Sequence, residues 1–595
     1  MEQKYEKHLK KQEDVLNKLT KTFNMLGYLK LITLLILIGS GIYSFYPIFR
    51  LSFLVSAIVF LILLVFLSIL HNNADQKIQY RKGIILIDKK YIDRINGKWI
   101  DFEDMGYEFI NSEHPYSLDL DIVGKKSLFQ LLNSTSTYHG RQAFAHDLLL
   151  NDYPINEIAE RQKAIEELTS SIEFSHDFQY YASKIKPNEK ITLILKEIKN
   201  TELFMKSKPL RYILKYCPLF ITPFSIVVYI FQFKSLFLIA FILLAIQALI
   251  WSLGYLKIKM YFIGIDNLGY TLVNYSKVFT LLQTQSFKSD KLNSIKNNLT
   301  LADYSASSAL RELNGIISRI DVKSNPIVYF VLNVLLLWDY ECAFKLEQWK
   351  MKYSAVSESW FTSLGEFESL LSFSNVSNVI KDTCFPEIDK ESRTIKSIGI
   401  GHPLISNDNR VCNDFIINNE IIIISGSNMS GKTTFLRTLG INIILARNGC
   451  NVCAKQMSLP LLEVITSMRI ADDLNEGVST FYAELKRIKR ILELSKSKQN
   501  VIFLIDEIFK GTNSVDRLLG AKAVIKKLNA YKVMGLITTH DLELCKLSSI
   551  QGILNYNFTE SYIDKNILFD YKIKEGEAKT TNAKFLMQAV GILNE

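Results

Sequence analysis

Four charge-free apolar runs, arranged in two close pairs, constrain this chain more than any other feature. Leu31–Phe49 and Leu51–Leu70 are separated by the single cation Arg50, and Tyr216–Phe233 and Ser235–Leu256 by Lys234. Each run is about the ~20 residues that a helix needs to cross a bilayer core. A helix apolar on every side must be buried by protein or by lipid. Two adjacent pairs with basic flanks read as membrane hairpins rather than as core helices. A cleaved signal peptide does not fit, because the first run begins late and a second follows at once.

The flanking charges give an orientation. Lys4, Lys7, Lys10, Lys11, Lys18, Lys21 and Lys30 precede the first hairpin, and Lys77, Arg81, Lys82, Lys89, Lys90 and Arg94 follow it. Lys206, Lys208, Arg211 and Lys215 precede the second, and Lys257 and Lys259 follow it. The positive-inside rule then puts both tips outside, and both termini and all large segments in the cytoplasm. The expectation is a multi-pass protein of the cytoplasmic (inner) membrane. Tyr43, Phe45, Tyr46 and Phe49 at one tip, and Tyr229, Phe231 and Phe233 at the other, suit the headgroup belt.

The net charge of +10 is largely explained by these flanks and is weak evidence for nucleic acid. With 48% hydrophobic and 22% charged residues, a disordered chain is excluded. Seven irregularly spaced cysteines make no disulfide framework and point to a reducing compartment. Cys450 and Cys453 form a C-x-x-C without a second pair, which reads as structural rather than as a metal or redox site. The eight histidines show no H-E-x-x-H and no close cluster in sequence.

The C-terminal third carries chemistry. Ile421–Ile424 reads as a short buried strand, followed by Gly426-Ser427-Asn428-Met429-Ser430-Gly431-Lys432-Thr433, then Thr434. This fits G-x-x-x-x-G-K-[ST], whose backbone N–H groups wrap phosphates. In it Lys432 reaches the β- and γ-phosphates and Thr433 ligates Mg²⁺. The helix beginning near Lys432 aims its positive end at the same place. A second apolar run, Val501–Ile505, ends in Asp506-Glu507: Asp506 as the Mg²⁺ partner, Glu507 orienting the attacking water. A third strand, Leu536–Thr539, ends at His540, which either senses the γ-phosphate or is an ordinary hydrogen-bonded strand-end histidine.

These residues resemble the MutS family. The Asn-Met inside the loop (Asn428-Met429) is distinctive. Asp472-Asp473-Leu474, Gly477-Val478-Ser479-Thr480-Phe481 and Glu484 resemble its signature loop. Asp506-Glu507-Ile508 with Gly511-Thr512 and Asp516 looks like its Walker B and D-loop, and Thr538-Thr539-His540 like its switch histidine. The match is specific from about Gly401 to Ile592 and fainter upstream. There, Leu128–Asn133, Thr135, Gly140-Arg141, Arg161-Gln162 and Glu166–Leu168 resemble the start of the helical core. Asn325-Pro326 to Trp338-Asp339 and the helices to about Phe373 look like core and lever helices. The run Ile327–Trp338 is apolar but short and contains Asn333, and is expected to be a packed core helix rather than a fifth span.

The resemblance implies a homodimer with two composite ATP sites. Lys432, Thr433, Asp506 and Glu507 would serve one site in cis. Ser479 would reach the γ-phosphate of the other subunit's ATP, and Asn428 and His540 would couple phosphate state to the interface. Where the family places an aromatic on adenine, this chain offers Arg410, whose guanidinium can stack on a base.

The departures are in the reader and the grip. The N-terminal mismatch-reading domain is expected to be missing, and Phe385-Pro386-Glu387 reads as structural rather than as its Phe-x-Glu. The second hairpin sits near where a DNA-gripping clamp would branch. The chain stops at Glu595, where the family's dimerising helix-turn-helix would continue.

The expected fold class is α plus α/β: transmembrane hairpins, a MutS-like helical core and lever, and a C-terminal P-loop ATPase with a mostly parallel sheet. The expected domains are a basic juxtamembrane segment (1–27), hairpin 1 (28–72), a cytoplasmic linker (73–110), the first part of the core (111–205), hairpin 2 (206–258), core and lever helices (259–385) and the ATPase (386–595). Leu9, Leu16, Leu19, Phe23 and Leu26 in the first segment read as a plain juxtamembrane helix. The expected function is a membrane-anchored MutS-like ATPase that uses ATP and Mg²⁺ and binds DNA, mismatched or branched. The alternative is a membrane-tethered mechanical ATPase acting on a protein partner, with DNA binding lost. An ABC-like transporter fits less well: the L-S-G-G-Q-like loop is missing, and no ionisable residue lies inside the hairpins except at the tips.

Overall fold

The computed structural model describes residues 2–45, 51–150, 152–185, 199, 203–263, 269–300, 304–427, 429–469, 480–509, 514–563 and 566–578. It is a mixed helical and α/β structure. The helices are α1 (Glu2–Phe45), α2 (Leu51–Ile95), α3 (Leu128–Leu132), α4 (Tyr138–Leu149), α5 (Ile155–Ser170), α6 (Ile172–Ala182), α7 (Lys208–Ile230), α8 (Lys234–Phe262), α9 (Gly269–Thr284), α10 (Asp290–Asn298), α11 (Ala306–Ile320), α12 (Pro326–Leu336), α13 (Trp338–Val379), α14 (Lys432–Arg447), α15 (Thr480–Ser497) and α16 (Ser514–Ala530).

By length and composition, α1, α2, α7 and α8 could each cross a membrane, and their apolar windows are almost entirely unburied by protein. Two of them exceed what a span needs. α2 has 45 residues, about 68 Å at 1.5 Å per residue. The linker expected at 73–110 is therefore helix as far as Ile95. Its lower half is core: Ile84, Ile87 and Tyr91 are buried with the rest of the helical region. The basic segment 1–27 is likewise the start of α1 and not a separate element. In this first part of α1 the buried side chains include Tyr5 and Gln12.

This part of α1 is pinned to the core by a polar joint. Buried Asp88 on α2 meets His8 Nδ1 at 2.9 Å and His176 Nδ1, on α6, at 3.5 Å. Burial, with His8 and Lys4 adding to it, pushes His176 down to about 3, so this ring is neutral. Arg81 donates to Gln12 Oε1 at 2.7 Å, which turns the Gln12 amide N–H toward His8 Nε2 at 3.1 Å. The His8 proton then sits on Nδ1 and is donated to Asp88. Within a trio that could hold a metal by proximity, His8 and Asp88 are thus joined by a hydrogen bond, with the neutral His176 ring packed beside them. The sequence alone had given no sign of a histidine cluster, because its members lie far apart in the chain.

The core is organised along α13, a 42-residue helix packed against α4, α5, α10 and α11. Its largest buried rings are Trp349, Trp360, Phe344 and Phe361. Trp349 Nε1 donates to Ala309 O at 2.8 Å, which satisfies an otherwise costly buried donor. The run expected to be a packed core helix behaves differently. In α12, Ile327 is 77% exposed and Phe330 56%, and Asn333 is the buried side chain. The apolar pattern was read correctly as a helix. Whether such a helix faces protein or the outside is a tertiary fact that its composition does not contain.

The C-terminal region holds two sheets. Strands β1 (Glu387–Ile388), β2 (Thr394–Ile400), β3 (Asn413–Asn418) and β5 (Gln456–Leu459) form a four-stranded mixed sheet in the order β1-β5-β2-β3. Strands β4 (Ile421–Gly426), β6 (Glu463–Ser467), β7 (Val501–Asp506), β8 (Met534–Thr539), β9 (Ile553–Ile563) and β10 (Asn566–Glu575) form a six-stranded sheet in the order β10-β9-β4-β8-β7-β6. All its pairings are parallel except β9–β10. Every residue of β7 and β8 is buried, as expected for parallel strands covered on both faces. Alternation decides the layers: Ile422 and Ile424 join the core containing α14, whereas Ile421 and Ile423 join the cluster containing Ile488 of α15 and Ile525 of α16.

The helical core and the sheet region share buried polar contacts. Arg161 on α5 is fully buried, donates to Asp147 Oδ2 at 2.8 Å and reaches Asn448 O at 2.8 Å just beyond α14. Asp147 also accepts from Ser369 of α13 at 2.6 Å. Burial alone would raise the Asp147 carboxyl, but Arg161 and the hydrogen bonds from His146, Ser369 and Tyr153 hold it at about 2. Removing one member of such a pair strands a buried charge. Arg161→Met should therefore cost about 3–5 kcal/mol in denaturant unfolding of the detergent-solubilised protein. The Asp147 contribution is present above the ordinary carboxylate pKa of about 3.9 and disappears as pH falls towards 2. The wild type should thus lose this margin on acidification, and the variant should already lack it at neutral pH. An unchanged unfolding midpoint would refute the assignment.

Candidate functional site

Strands β4, β8 and β7 are neighbours, and their carboxyl ends carry Gly426, Thr539 and Asp506. Crevices at the carboxyl ends of parallel strands are where open α/β sheets bind ligands. Here the loop from β4 turns into α14, whose first N–H groups have no partners within the helix.

Glycine is required at two points of that loop. Gly426 has φ +148, and a Cβ there would lie 2.6 Å from the Phe558 carbonyl oxygen; Gly431 has φ +107 at the start of α14. Ser430 Oγ donates to Ser427 O at 2.8 Å and Ser427 Oγ to Glu560 at 2.9 Å, which hold the loop in shape. Lys432 is buried and donates to Gly426 O at 2.8 Å and Ser427 O at 2.7 Å, so its ammonium lies inside the loop. Met429 is 86% exposed at the rim, with φ +68. Thr434, in the first turn of the helix, faces a cavity that the acids do not line.

The strand-end acids meet this loop. Thr433 Oγ1 lies 2.9 and 3.0 Å from the two Asp506 oxygens, and Thr538 Oγ1 donates to Asp506 at 2.6 Å. Glu507 takes a left-handed φ of +52, a conformation that costs a non-glycine residue about 1–3 kcal/mol. Its N–H is held by Thr538 O at 3.2 Å and Oγ1 at 3.0 Å. That turn aims the Glu507 carboxylate at His540 Nε2, 2.8 Å away; Lys432 Nζ is 3.4 Å from the same nitrogen. One ring nitrogen cannot both donate to the carboxylate and accept from the ammonium. The shorter, charge-assisted contact to Glu507 puts the proton on Nε2. Thus Lys432, Thr433, Asp506, Glu507 and His540 form one constellation. Its oxygen donors, a threonine hydroxyl and a buried carboxylate, are the hard ligands that suit Mg²⁺. Asn428 and Ser479 lie outside the described residues, as do Gly511 and Thr512. The described part of the signature segment begins with α15, where Glu484 is buried and accepts the Phe509 N–H.

A cavity of about 390 Å³ opens on the other side of the loop, between Gly431, Thr434, Val411, Phe558 and Tyr571. Arg410, expected to offer its guanidinium to a base here, is committed elsewhere. It donates to His402 O at 2.9 Å, Asn407 Oδ1 at 3.1 Å and Ile405 O at 2.7 Å, so the guanidinium closes its own loop and does not line the cavity. The aromatic surface comes instead from Tyr571, on β10, and from Phe558, on β9. Tyr571 has φ +52 at the irregularity where the β9–β10 register shifts. Sequence reading missed both because only strand pairing brings them to the loop. His402 also lines the cavity; burial, with Arg437 and Arg410 nearby, pushes it down to about 3, so it is a neutral ring.

Residues 422–590, which hold the whole of this loop and the acids, match the family model for MutS domain V. The C-terminal segment is MutS-like. It is 34% identical over 215 residues to the DNA mismatch repair protein MutS of Caldanaerobacter subterraneus subsp. tengcongensis, covering 35% of this chain and 24% of that protein. It is 35% identical over 185 residues to the MutS of Aquifex pyrophilus (30% and 21% of the two chains). A longer match, 28% identical over 292 residues, joins it to the MutS of a Geobacillus strain (48% and 32%). The chain thus spans between a fifth and a third of the length of these MutS relatives.

The loop geometry has a direct consequence. Gly426→Ala drives a methyl group into the Phe558 backbone and forces an unfavourable φ, which should cost about 1–3 kcal/mol of stability. Ser427→Ala removes only one hydrogen bond to Glu560. Thermal unfolding of the two variants should place the glycine substitution well below the serine one, and the reverse order would contradict the loop geometry.

Proposed function

We propose that this chain is a membrane-anchored MutS-like ATPase that binds DNA and hydrolyses ATP at composite sites of a homodimer. The single observation that carries the ATPase reading is the convergence of Lys432, Thr433, Asp506, Glu507 and His540 at three adjacent strand ends. It lies within the segment matched to MutS domain V. The relatives' name, DNA mismatch repair protein, supports DNA as partner and mismatched DNA as its form. Four long apolar helices with basic flanks support anchoring in the cytoplasmic membrane with the ATPase inside.

In this reading the loop N–H groups, the α14 N-terminus and the Lys432 ammonium bind the β- and γ-phosphates of ATP. Thr433 and Asp506 would hold Mg²⁺, which when bound neutralises charge developing between those phosphates. Glu507, fixed by its turn against Thr538, orients the attacking water and takes up its proton. His540 holds the Glu507 carboxylate through Nε2–H and lies close enough to Lys432 to respond to what the ammonium binds. Tyr571 and Phe558 offer faces on which the base stacks, in the role first expected of Arg410. Ser479, from the partner's signature loop, completes the site at the γ-phosphate.

Two outcomes test this. Lys432→Ala should lose nucleotide binding, whereas Glu507→Gln should bind ATP normally and hydrolyse it about 10²–10⁴-fold more slowly. Filter binding and single-turnover hydrolysis on detergent-purified protein separate the two, and normal hydrolysis by Glu507→Gln would remove Glu507 from its role.

The DNA reading is tested by ATP-dependent binding to mismatched duplex across a salt series. Phosphate contacts should make log K fall steeply and linearly with log salt. No binding at low salt would leave an ATPase whose partner is a protein.

A further inference from the structure

The helix α12 is inside-out for a protein in water. A surface helix normally turns its polar side outward. Here Ile327, Val328, Phe330 and Val331 are 77, 43, 56 and 45% exposed, while Asn333 is fully buried. Residues 324–338 carry no charge. The helix packs against α7 and α8, and it ends at Leu337, in a left-handed conformation (φ +48), before α13 departs at 79°.

A helix break inside lipid is tolerated only if its freed backbone groups find partners within the protein. This one meets that condition. The Leu335 carbonyl accepts from the Thr222 hydroxyl of α7 and from Gln247 Nε2 of α8 at 3.4 Å. The Leu337 N–H returns to Asn333 O at 3.0 Å, and the Asp339 N–H to Asn333 Oδ1 at 3.0 Å. The Asp339 carboxylate accepts from Trp251 Nε1 at 3.1 Å and from Tyr329 OH at 2.5 Å. Thr222 and Gln247 lie near the middle of the two charge-free runs of the second hairpin. The end of α12 is therefore level with the centre of that hairpin's apolar surface, not with its ends. At 11 residues it is about 16 Å long, roughly half of a ~30 Å hydrocarbon core, so it can enter a bilayer but not cross it.

We propose that Pro326–Leu336 is a re-entrant membrane helix, a fifth apolar element beside the second hairpin, whose exposed face is covered by lipid acyl chains. The proposal rests on the reading that the second hairpin spans the bilayer, with which the α12 surface is continuous. It makes the membrane contact of this chain more than an anchor, because α12 is joined through Leu337 directly to α13, which meets the chain just beyond the P-loop helix, where Cys450 Sγ donates to Phe373 O at 3.3 Å.

The test uses the full chain in liposomes, with half-buried Cys217, Cys384 and Cys412 replaced by serine. Single cysteines carrying an NBD fluorophore are placed at Phe330 and Ile327 on α12, at Leu253 on α8 and at Lys498 in the sheet region. Ile327→Cys guards against a folding defect, since that side chain is mostly exposed. Lipids with a nitroxide on the acyl chain should quench α12 to the same extent as Leu253, while Lys498 is quenched only by iodide. Quenching at Leu253 with α12 sensitive to iodide alone would overturn the re-entrant helix and leave the hairpin standing. Quenching at Leu253 with α12 shielded from both agents would overturn it in favour of a protein surface, such as a second copy. Absence of acyl quenching at Leu253 itself would overturn the membrane reading on which the proposal rests.

Discussion

The buried Arg161 guanidinium joins the two halves of this protein, and the arrangement of everything else depends on that joint. It meets Asp147 from the helical core, while Asp147 binds Ser369 on α13 and Arg161 caps the chain leaving the P-loop helix at Asn448. The neighbouring Gly449 leaves no room for a side chain, since a Cβ would lie 2.7 Å from Arg161 itself. A second joint lies at the opposite end of α14. Asp119 accepts from Thr466 Oγ1 at 2.6 Å and from the Met468 and Arg469 N–H groups at 3.0 and 2.9 Å, and Asp121 pairs with Arg437 and Arg469. The P-loop helix is thus gripped by the helical region along its length, so the two regions cannot rearrange without breaking buried charge contacts.

The site itself is built on conformations that the chain would not choose freely. Glu507 and Phe509 both have positive φ, on either side of a turn whose N–H groups are taken by Thr538 and Glu484. Such geometry persists only where surrounding contacts over-determine it. Here those contacts come from a neighbouring strand and from α15, the helix that directly follows the signature segment. The orientation of the Glu507 carboxylate is consequently tied to the position of that helix.

What could be read from sequence follows the distance over which each feature is encoded. The phosphate loop, the acid pair and the strand-end histidine each occupy a few consecutive residues, and their local pattern carried them. The apolar runs were equally legible, because hydrophobicity over a window needs no knowledge of neighbours. The failures are non-local. Tyr571 reaches the loop only through the pairing of β9 and β10; Arg410 differs in kind, because what engages its guanidinium is local, three acceptors on its own loop. The supposed linker at 73–110 is helix as far as Ile95, and part of the core, because its apolar residues find partners on α6 and α13. The exposure of one face of α12 was not legible because leucine and isoleucine carry no mark of what they pack against, and composition does not say which side chain, here Asn333, turns inward.

The unbroken length of α13 has a mechanical consequence. Forty-two residues form a rod of about 63 Å, with the turn that follows the P-loop helix against one end, at Phe373, and Leu337 at the other. A rotation of about 10° around the inner end sweeps the outer end through roughly 11 Å at that length. Because α4, α5, α10 and α11 pack along the rod, such a rotation would carry the helical core with it, so the angle of the rod is a property of the whole core.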